Sequence, residues 1–396
     1  MSKSFWYLLG EFFSKIVPFL LLPYFTNSLG TSGYGNLIYY LAIIAIAKVI
    51  ISFGLETTIS RCFFRYGKNT AIIMLKTHFL FTSSIVFCIS VICIYLNKYI
   101  ELYILIAAYS QAIFFGCLVF YQCQERASKY IFFQASATLL SIIFTVILFD
   151  YFDFKAEYRI LSLCLSYLIF SIIVYMNIIG VFFHFKFHKT HFYYLIVSGF
   201  PLLLHQLSFV IKGQFDRFLI FDKFSSSELG SYGLAFQLAS IITLILQAIY
   251  KGIMPKYYDR LKKQQILKKT IIRFSIYSVI PLFFLSFFPL IIPKDVYQFF
   301  FGSEFYNIPI IMSFFMISMI FYGAYLILSG YLFYYNDNSY IAKINVLSIP
   351  IYLILVLVLS NYKIYLIPLS MMISNLFVFI LLLIRVRAFS FSPKAF

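Results

Sequence analysis

Charge is what this sequence has little of. Only 11% of its 396 residues are Asp, Glu, Lys or Arg, while 62% are hydrophobic; a soluble domain carries about a quarter charged residues. A soluble fold would leave much of that apolar surface in water as large patches, so a packed soluble domain is excluded and a chain dissolved in lipid is expected. The alternation of apolar and polar residues that marks membrane β-barrel strands is also missing. The apolar runs are continuous instead, as in Ile349 to Leu359 and Ile276 to Ile292, which points to helices.

Other absences narrow the chemistry. The six cysteines are scattered, most of them inside apolar runs (Cys88, Cys93, Cys117, Cys164), with no CxxC or metal-ligand spacing, so neither disulfides nor a metal site is expected. No P-loop, Gly-rich nucleotide motif or catalytic triad pattern occurs, and no cofactor is expected. No alanine precedes Ala42, so the small-residue cleavage site of a secretory leader is missing and the first apolar run is expected to stay as a span.

What is present is a series of apolar segments: 5–25, 37–58, 79–96, 102–120, 130–149, 160–183, 192–215, 229–250, 271–292, 308–330, 344–360 and 364–384. Each is close to the roughly 20 residues that cross a hydrocarbon layer as a helix. The expected fold class is therefore an all-α polytopic membrane protein of about 12 transmembrane helices. With the N-terminus in the cytoplasm, 21 of the 31 Lys and Arg fall on cytoplasmic stretches, 7 on external loops and 3 within spans. This positive-inside bias places both termini in the cytoplasm. The formal charge of +17 thus reads as a topology signal and a solvated face against anionic lipid, with no call for nucleic acid.

The longest hydrophilic stretch, Lys251 to Lys269, divides the spans unevenly. The loop around His184 to His191 has six spans on either side, which makes 1–190 and 191–396 the expected six-helix lobes. A weak internal repeat agrees: Thr31-Ser32-Gly33-Tyr34-Gly35 enters span two and Ser226-Ser227-Glu228-Leu229-Gly230 enters span eight, each an expected external turn of small residues. Repeats of this kind build many transporters, with the substrate site between the halves.

A charge at mid-bilayer costs about 2.5–3.5 kcal/mol on insertion scales and usually faces a cavity or a partner. Span one carries Glu11 and Lys15 one turn apart, the spacing of a self-neutralising pair. Span two carries Lys48 near its centre with no acid one turn away. Glu56 follows eight residues later, about 12 Å along a helix, near the cytoplasmic end, where Arg61 is its expected partner. Span seven carries His205, Gln206, Lys212, Gln214, Asp216 and Arg217 behind Pro201; Asp216 and Arg217 are expected at the outer interface, and Lys212 is one turn from Asp216. Lys15, Lys48 and Lys212 are the candidate cavity cations, and Glu11, Glu56, His205, Asp216 and Arg217 the candidate coupling or ion-pair residues. Three lysines against two glutamates favour an anionic substrate, and a lipid diphosphate suits a lysine point charge. His184, His188 and His191 sit in a basic loop and read as solvated; Asp150 and Asp153 form an external D-x-x-D with no domain around it.

Leu22-Pro23-Tyr24-Phe25, Leu29-Gly30, Gly33-Tyr34-Gly35, Phe53-Gly54-Leu55-Glu56 and Ile59-Ser60-Arg61 resemble the opening of the O-antigen and polysaccharide flippases (Wzx-type). Gly199-Phe200-Pro201-Leu202, Asp216-Arg217-Phe218-Leu219-Ile220, Leu229-Gly230-Ser231-Tyr232 with Ala235, and Pro255-Lys256-Tyr257-Tyr258 resemble that family's seventh and eighth spans. The resemblance implies a multidrug/oligosaccharidyl-lipid/polysaccharide exporter fold of two six-helix lobes around a central cavity. It implies a flippase moving an undecaprenyl-diphosphate-linked oligosaccharide across the bacterial inner membrane for O-antigen and lipopolysaccharide assembly by alternating access. Its partners would be that lipid, the bilayer, a polysaccharide polymerase and chain-length proteins. Two alternatives stay open: a drug or cation antiporter of the same superfamily, and a polysaccharide polymerase or membrane glycosyltransferase.

Overall fold

A computed structural model describes residues 16–180, 188–335 and 337–388. Their regular structure is helical throughout. Among the described residues eleven segments are long and apolar enough to cross a membrane, so the chain is an all-α, multi-span membrane protein. The expected first span, 5–25, lies mostly outside the described residues, as do Glu11, Lys15 and His184.

The chain divides into two compact units, Met1–Arg217 and Phe218–Phe396. The first holds α1 (Leu22–Ser52), α2 (Leu55–Tyr66), α3 (Lys68–Tyr95), α4 (Tyr99–Cys123), α5 (Ala127–Tyr151), α6 (Ala156–Ile179) and most of α7 (Lys189–Lys223). Its centre is α4, which packs on α1, α2, α3 and α6 through Leu55, Ile59, Met74, Phe114 and Cys117. The second unit holds α8 (Ser226–Lys262), α9 (Lys268–Tyr277), α10 (Val279–Leu285), α11 (Phe288–Ile291), α12 (Lys294–Phe301), α13 (Ile308–Ser318), α14 (Tyr322–Tyr334), α15 (Asn338–Leu359) and α16 (Pro368–Ala388). Here α16 packs on α13, α14 and α15, and α8 on α13 and α14.

The side chains facing outward are those that lipid dissolves. Phe87, Ile92, Phe274, Ile280, Phe284 and Ile291 are all exposed, while many buried polar residues are Ser and Thr. Most of these hydroxyls bond a carbonyl three or four residues back in their own helix, as Thr77 does to Ile73 and Ser318 to Phe315. Hydroxyls paired in this way add no unpaired group to the interior, whereas those of Thr58 and Ser110 find no partner among the described residues. Tight turns close on left-handed residues at Asn97, Glu125 and Gln264, each followed by an amide that bonds back five residues, as Lys98 does to Cys93, which satisfies a helix-end carbonyl.

Several sequence expectations change at this level. Residues 26–36, expected as an external turn, are helical within α1 except at Gly30, whose φ of 64° breaks the helix. Thr26 and Asn27 bond carbonyls one turn back, so these polar residues extend the helix instead of leaving it. The hydrophilic stretch from Lys251 is helix through Lys262. The expected span 271–292 is kept as the apolar segment Lys268–Ile291, but it is built of three short helices, two of which contain Pro281 and Pro289, residues that cannot donate to the helix ladder. Asp153 of the D-x-x-D pairs with Lys155 at 2.7 Å in an exposed position.

Candidate functional site

The most irregular backbone of the first unit lies between α1 and α2. Phe53 and Gly54 both take left-handed conformations, with φ of 48° and 71°. Such a conformation costs a non-glycine residue roughly 1–2 kcal/mol, and neighbouring packing holds it in place. A Cβ on Gly54 would lie 2.8 Å from the Leu202 Cβ and 3.0 Å from the Gly199 carbonyl; a Cβ on Gly199 would lie 2.5 Å from the Phe53 carbonyl. The break in α1 and the start of α7 thus touch backbone to backbone, and only glycine leaves room on either side.

A break inside lipid frees carbonyls that water cannot reach. One of them, on Ile51, is met by His78 of α3, whose Nε2 lies 3.0 Å away. For that nitrogen to donate, the ring must carry its proton on Nε2. His78 is fully buried. The second unit uses the same device: the Asn375 amide donates to the Ser318 carbonyl at 3.0 Å, where α13 stops and α14 has yet to begin.

The break also redirects the chain, so that Glu56 returns to Lys48. Their charged groups stand 3.9 Å apart, with the side chains 24% and 35% exposed. The partner of Glu56 is therefore Lys48 and not the expected Arg61, which lies five residues along the same helix α2, off the i,i+3 and i,i+4 spacings that face each other. The Lys48 ammonium sits 3.8 Å from the centre of the Phe115 ring on α4, a contact worth about 0.5–2 kcal/mol. At 3.9 Å the ion pair is too long for a hydrogen bond. Lys48 is thus a cation inside an apolar helix pair, steadied by a ring face and a carboxylate, with no hydrogen bond to its ammonium from the described residues.

On α7, His205 packs edge-on against Phe209 at 5.0 Å and Lys212 is half-buried one turn before Asp216. Asp216 pairs with its neighbour Arg217 at 2.9 Å. Both residues are buried, and Arg217 also donates to the Gly213 carbonyl. The structure therefore brings together Lys48 with Glu56 and Asp216 with Arg217.

Two buried groups escaped the sequence reading. His78 lies at the edge of an apolar segment, one residue before it. Arg159 was counted with an external loop but is 7% exposed, one turn into α6. Its Nη1 donates to the Ser141 carbonyl at 3.0 Å, the Thr145 hydroxyl at 2.7 Å and the Ser162 hydroxyl at 3.3 Å. Its guanidinium lies 5.0 Å from the Phe25 ring. Neutral acceptors and a ring face hold this cation, without a carboxylate among the described residues. The signal was available: a lone Arg flanking an apolar run, with hydroxyl residues one turn apart on the preceding helix.

Among the described residues no group of three or more His, Cys, Asp or Glu is placed to hold a metal ion. What the site offers is a fixed, partly accessible cation in a low-dielectric wall, suited to binding an anion.

The architecture of helical spans is a fold shared with solved structures of the multidrug/oligosaccharidyl-lipid/polysaccharide superfamily. The chain superposes on the lipid II flippase MurJ in an inward closed conformation with a TM-score of 0.71, at 17% identity, over 97% of this chain and 88% of that one. An inward-facing multidrug resistance MATE transporter matches with a TM-score of 0.65, at 14% identity, over 93% of this chain and 94% of that one. The chain belongs to the polysaccharide biosynthesis protein family, whose model matches residues 1–257. It is 35% identical to Lsg locus protein 1 of Haemophilus influenzae over 375 residues, 93% of this chain and 94% of that protein. A second Haemophilus influenzae membrane protein is 32% identical over 352 residues, 88% of this chain and 87% of that one.

Proposed function

We propose that this protein is a flippase. Its substrate would be an undecaprenyl-diphosphate-linked oligosaccharide, moved from the cytoplasmic to the external leaflet of the bacterial inner membrane for surface polysaccharide assembly. Family membership supports the link to polysaccharide, and the lipid II flippase shares the fold. The observation that carries the substrate class is Lys48: a partly accessible intramembrane ammonium, held by a ring face and a carboxylate 3.9 Å away, suits a diphosphate arriving in lipid. Lys212, on the polar α7, is the second candidate cation of this reading, and Lys15 the third by sequence position. Transport would proceed by alternating access of two six-helix lobes, 1–190 and 191–396, in a twelve-helix chain with both termini cytoplasmic.

The test is the chemistry of what accumulates. A deletion strain should build up a diphosphate-linked oligosaccharide on the cytoplasmic side, identified by mass spectrometry of extracted lipids, and lose surface polysaccharide. Efflux of cationic drugs with surface polysaccharide intact in the deletion would overturn the proposal in favour of an antiporter. The orientation is checked by maleimide labelling of cysteines placed at Gln264 and Asn97 in a cysteine-free background. Gln264 should be shielded from a membrane-impermeant reagent in intact cells and Asn97 open to it.

A further inference from the structure

In the second unit, α9 and the last turn of α16 flank an open cleft of about 650 Å³. Lys268, Lys269, Arg273 and Arg387 line it, and no carboxylate does among the described residues. Two nearby acids are engaged elsewhere: Asp337 pairs with Arg385 at 2.7 Å and Asp259 with Lys263 at 2.7 Å. Lys268 donates to the Arg387 carbonyl, which ties the two helices together at the cavity and satisfies a helix C-terminal acceptor. Lys269, Arg273 and Arg387 point their charges outward, and all three are exposed.

The same face of α9 changes character along its length. Lys269, Arg273 and Tyr277 follow one another at one-turn spacing, with Ile276 beside Tyr277, and both of these also line the cavity. Tyr277 is 56% exposed and Ile276 39%. From Lys269 to Tyr277 the helix rises about 12 Å, the distance that separates headgroup from upper acyl chain. Phe284 and Ile291 continue the exposed apolar wall beyond it. The opposite face of α9 (Ile271, Phe274, Ser278) lines a separate, apolar cavity against α8 and α14, so the basic face is not simply the solvated side of a surface helix. Basic pockets between membrane helices of this kind hold anionic lipid headgroups.

We propose that this cavity binds the headgroup of a phospholipid bearing two phosphates, of the diphosphatidylglycerol class. Its phosphates would lie on Lys269, Arg273 and Arg387 and its acyl chains along Ile276 and Tyr277. The volume exceeds what a single phosphate fills, and the cations number more than one phosphodiester needs. The site is separate from Lys48 and does not depend on the substrate proposed above.

The experiment uses the full chain purified in detergent and delipidated, with native mass spectrometry reading the lipid retained. Tetraoleoyl diphosphatidylglycerol should be retained well above dioleoyl phosphatidylcholine. Because each basic side chain near a membrane surface adds to the attraction for anionic lipid, the triple variant K269A/R273A/R387A should bind it at least roughly tenfold more weakly. The variant K98A/K294A/K363A removes the same charge elsewhere and should bind as the unaltered chain does. Equal loss in both triple variants, or equal retention of the two lipids, would overturn the proposal. Displacement of the lipid by inorganic diphosphate at matched concentration would assign the site to a free phosphate ligand and overturn the lipid assignment.

Discussion

Gly199 of α7 lies directly against the Phe53 carbonyl of the α1–α2 break, with no space for a methyl group between them. This contact makes a strained break stable: α7 supplies a flat backbone surface, and the two left-handed residues fit on it.

Substituting Gly199→Ala should therefore destabilise the protein by about 1–3 kcal/mol, the range for overpacking a close contact. Gly213→Ala on the same helix meets nothing within 4 Å and should be neutral or stabilising by roughly 0.5–1 kcal/mol, since alanine loses less backbone entropy than glycine in a helix. Thermal midpoints in detergent, followed by size-exclusion chromatography with fluorescence detection, would compare the two. Equal midpoints would show that the break does not depend on this contact.

Lys48 and Glu56 can be separated into structure and function. Lys48→Ala leaves Glu56 partly buried without its counter-charge, so a loss of stability of about 1–3 kcal/mol is expected. The double variant K48A/E56A removes both charges and should recover most of that stability. It should not recover surface polysaccharide, because the cation proposed to meet the diphosphate is gone. Protein levels by immunoblot and surface polysaccharide by gel staining read the two effects independently. Full polysaccharide in the double variant would remove Lys48 from the mechanism.

Arg159 is a buried cation served by hydroxyls and one carbonyl. Arg159→Lys keeps the charge but ends in a shorter side chain, which cannot bring a donor to where Nη1 meets Ser141, Thr145 and Ser162 or lay a guanidinium by the Phe25 ring, and should cost about 1–3 kcal/mol. Arg159→Met removes the charge, and the Thr145 and Ser162 hydroxyls, 2.6 Å apart, keep each other as partners. Its stability should stay within about 1 kcal/mol of the original, as buried charges replaced by apolar side chains of similar size often do. A methionine variant less stable than the lysine variant would reverse this account.

The spans were legible in the sequence because hydropathy over about 20 residues is a one-dimensional property. Lys48 was legible for the same reason, as a charge far from either end of an apolar run. Its partner was not. Glu56 sits eight residues away, and only the break at Phe53 and Gly54 returns it. That break depends on Gly199, nearly 150 residues further along the chain. Gly54 by itself looked like one of a family's motif glycines. Arg159 was misplaced for a related reason: it flanks an apolar segment, where averaging cannot distinguish a loop cation from a buried one. Hydroxyl partners on α5, which hydropathy treats as nearly neutral, decide the matter.

The helix α8 runs for 37 residues, about 55 Å along its path at 1.5 Å per residue, against a hydrocarbon layer of roughly 30 Å. Its far end, with Lys256, Arg260 and Lys262, is therefore a stalk standing out of the membrane. The stalk is fastened: the Tyr257 hydroxyl reaches the Ile327 carbonyl of α14 at 3.4 Å, and burial raises the affinity of that hydroxyl for its proton, so it stays a donor. A tilt of α8 as one body within the bilayer would swing this stalk through a larger arc outside it. Motion in the lipid would then be measurable from water, as a change in distance between a label near Lys262 and one fixed elsewhere in the same unit.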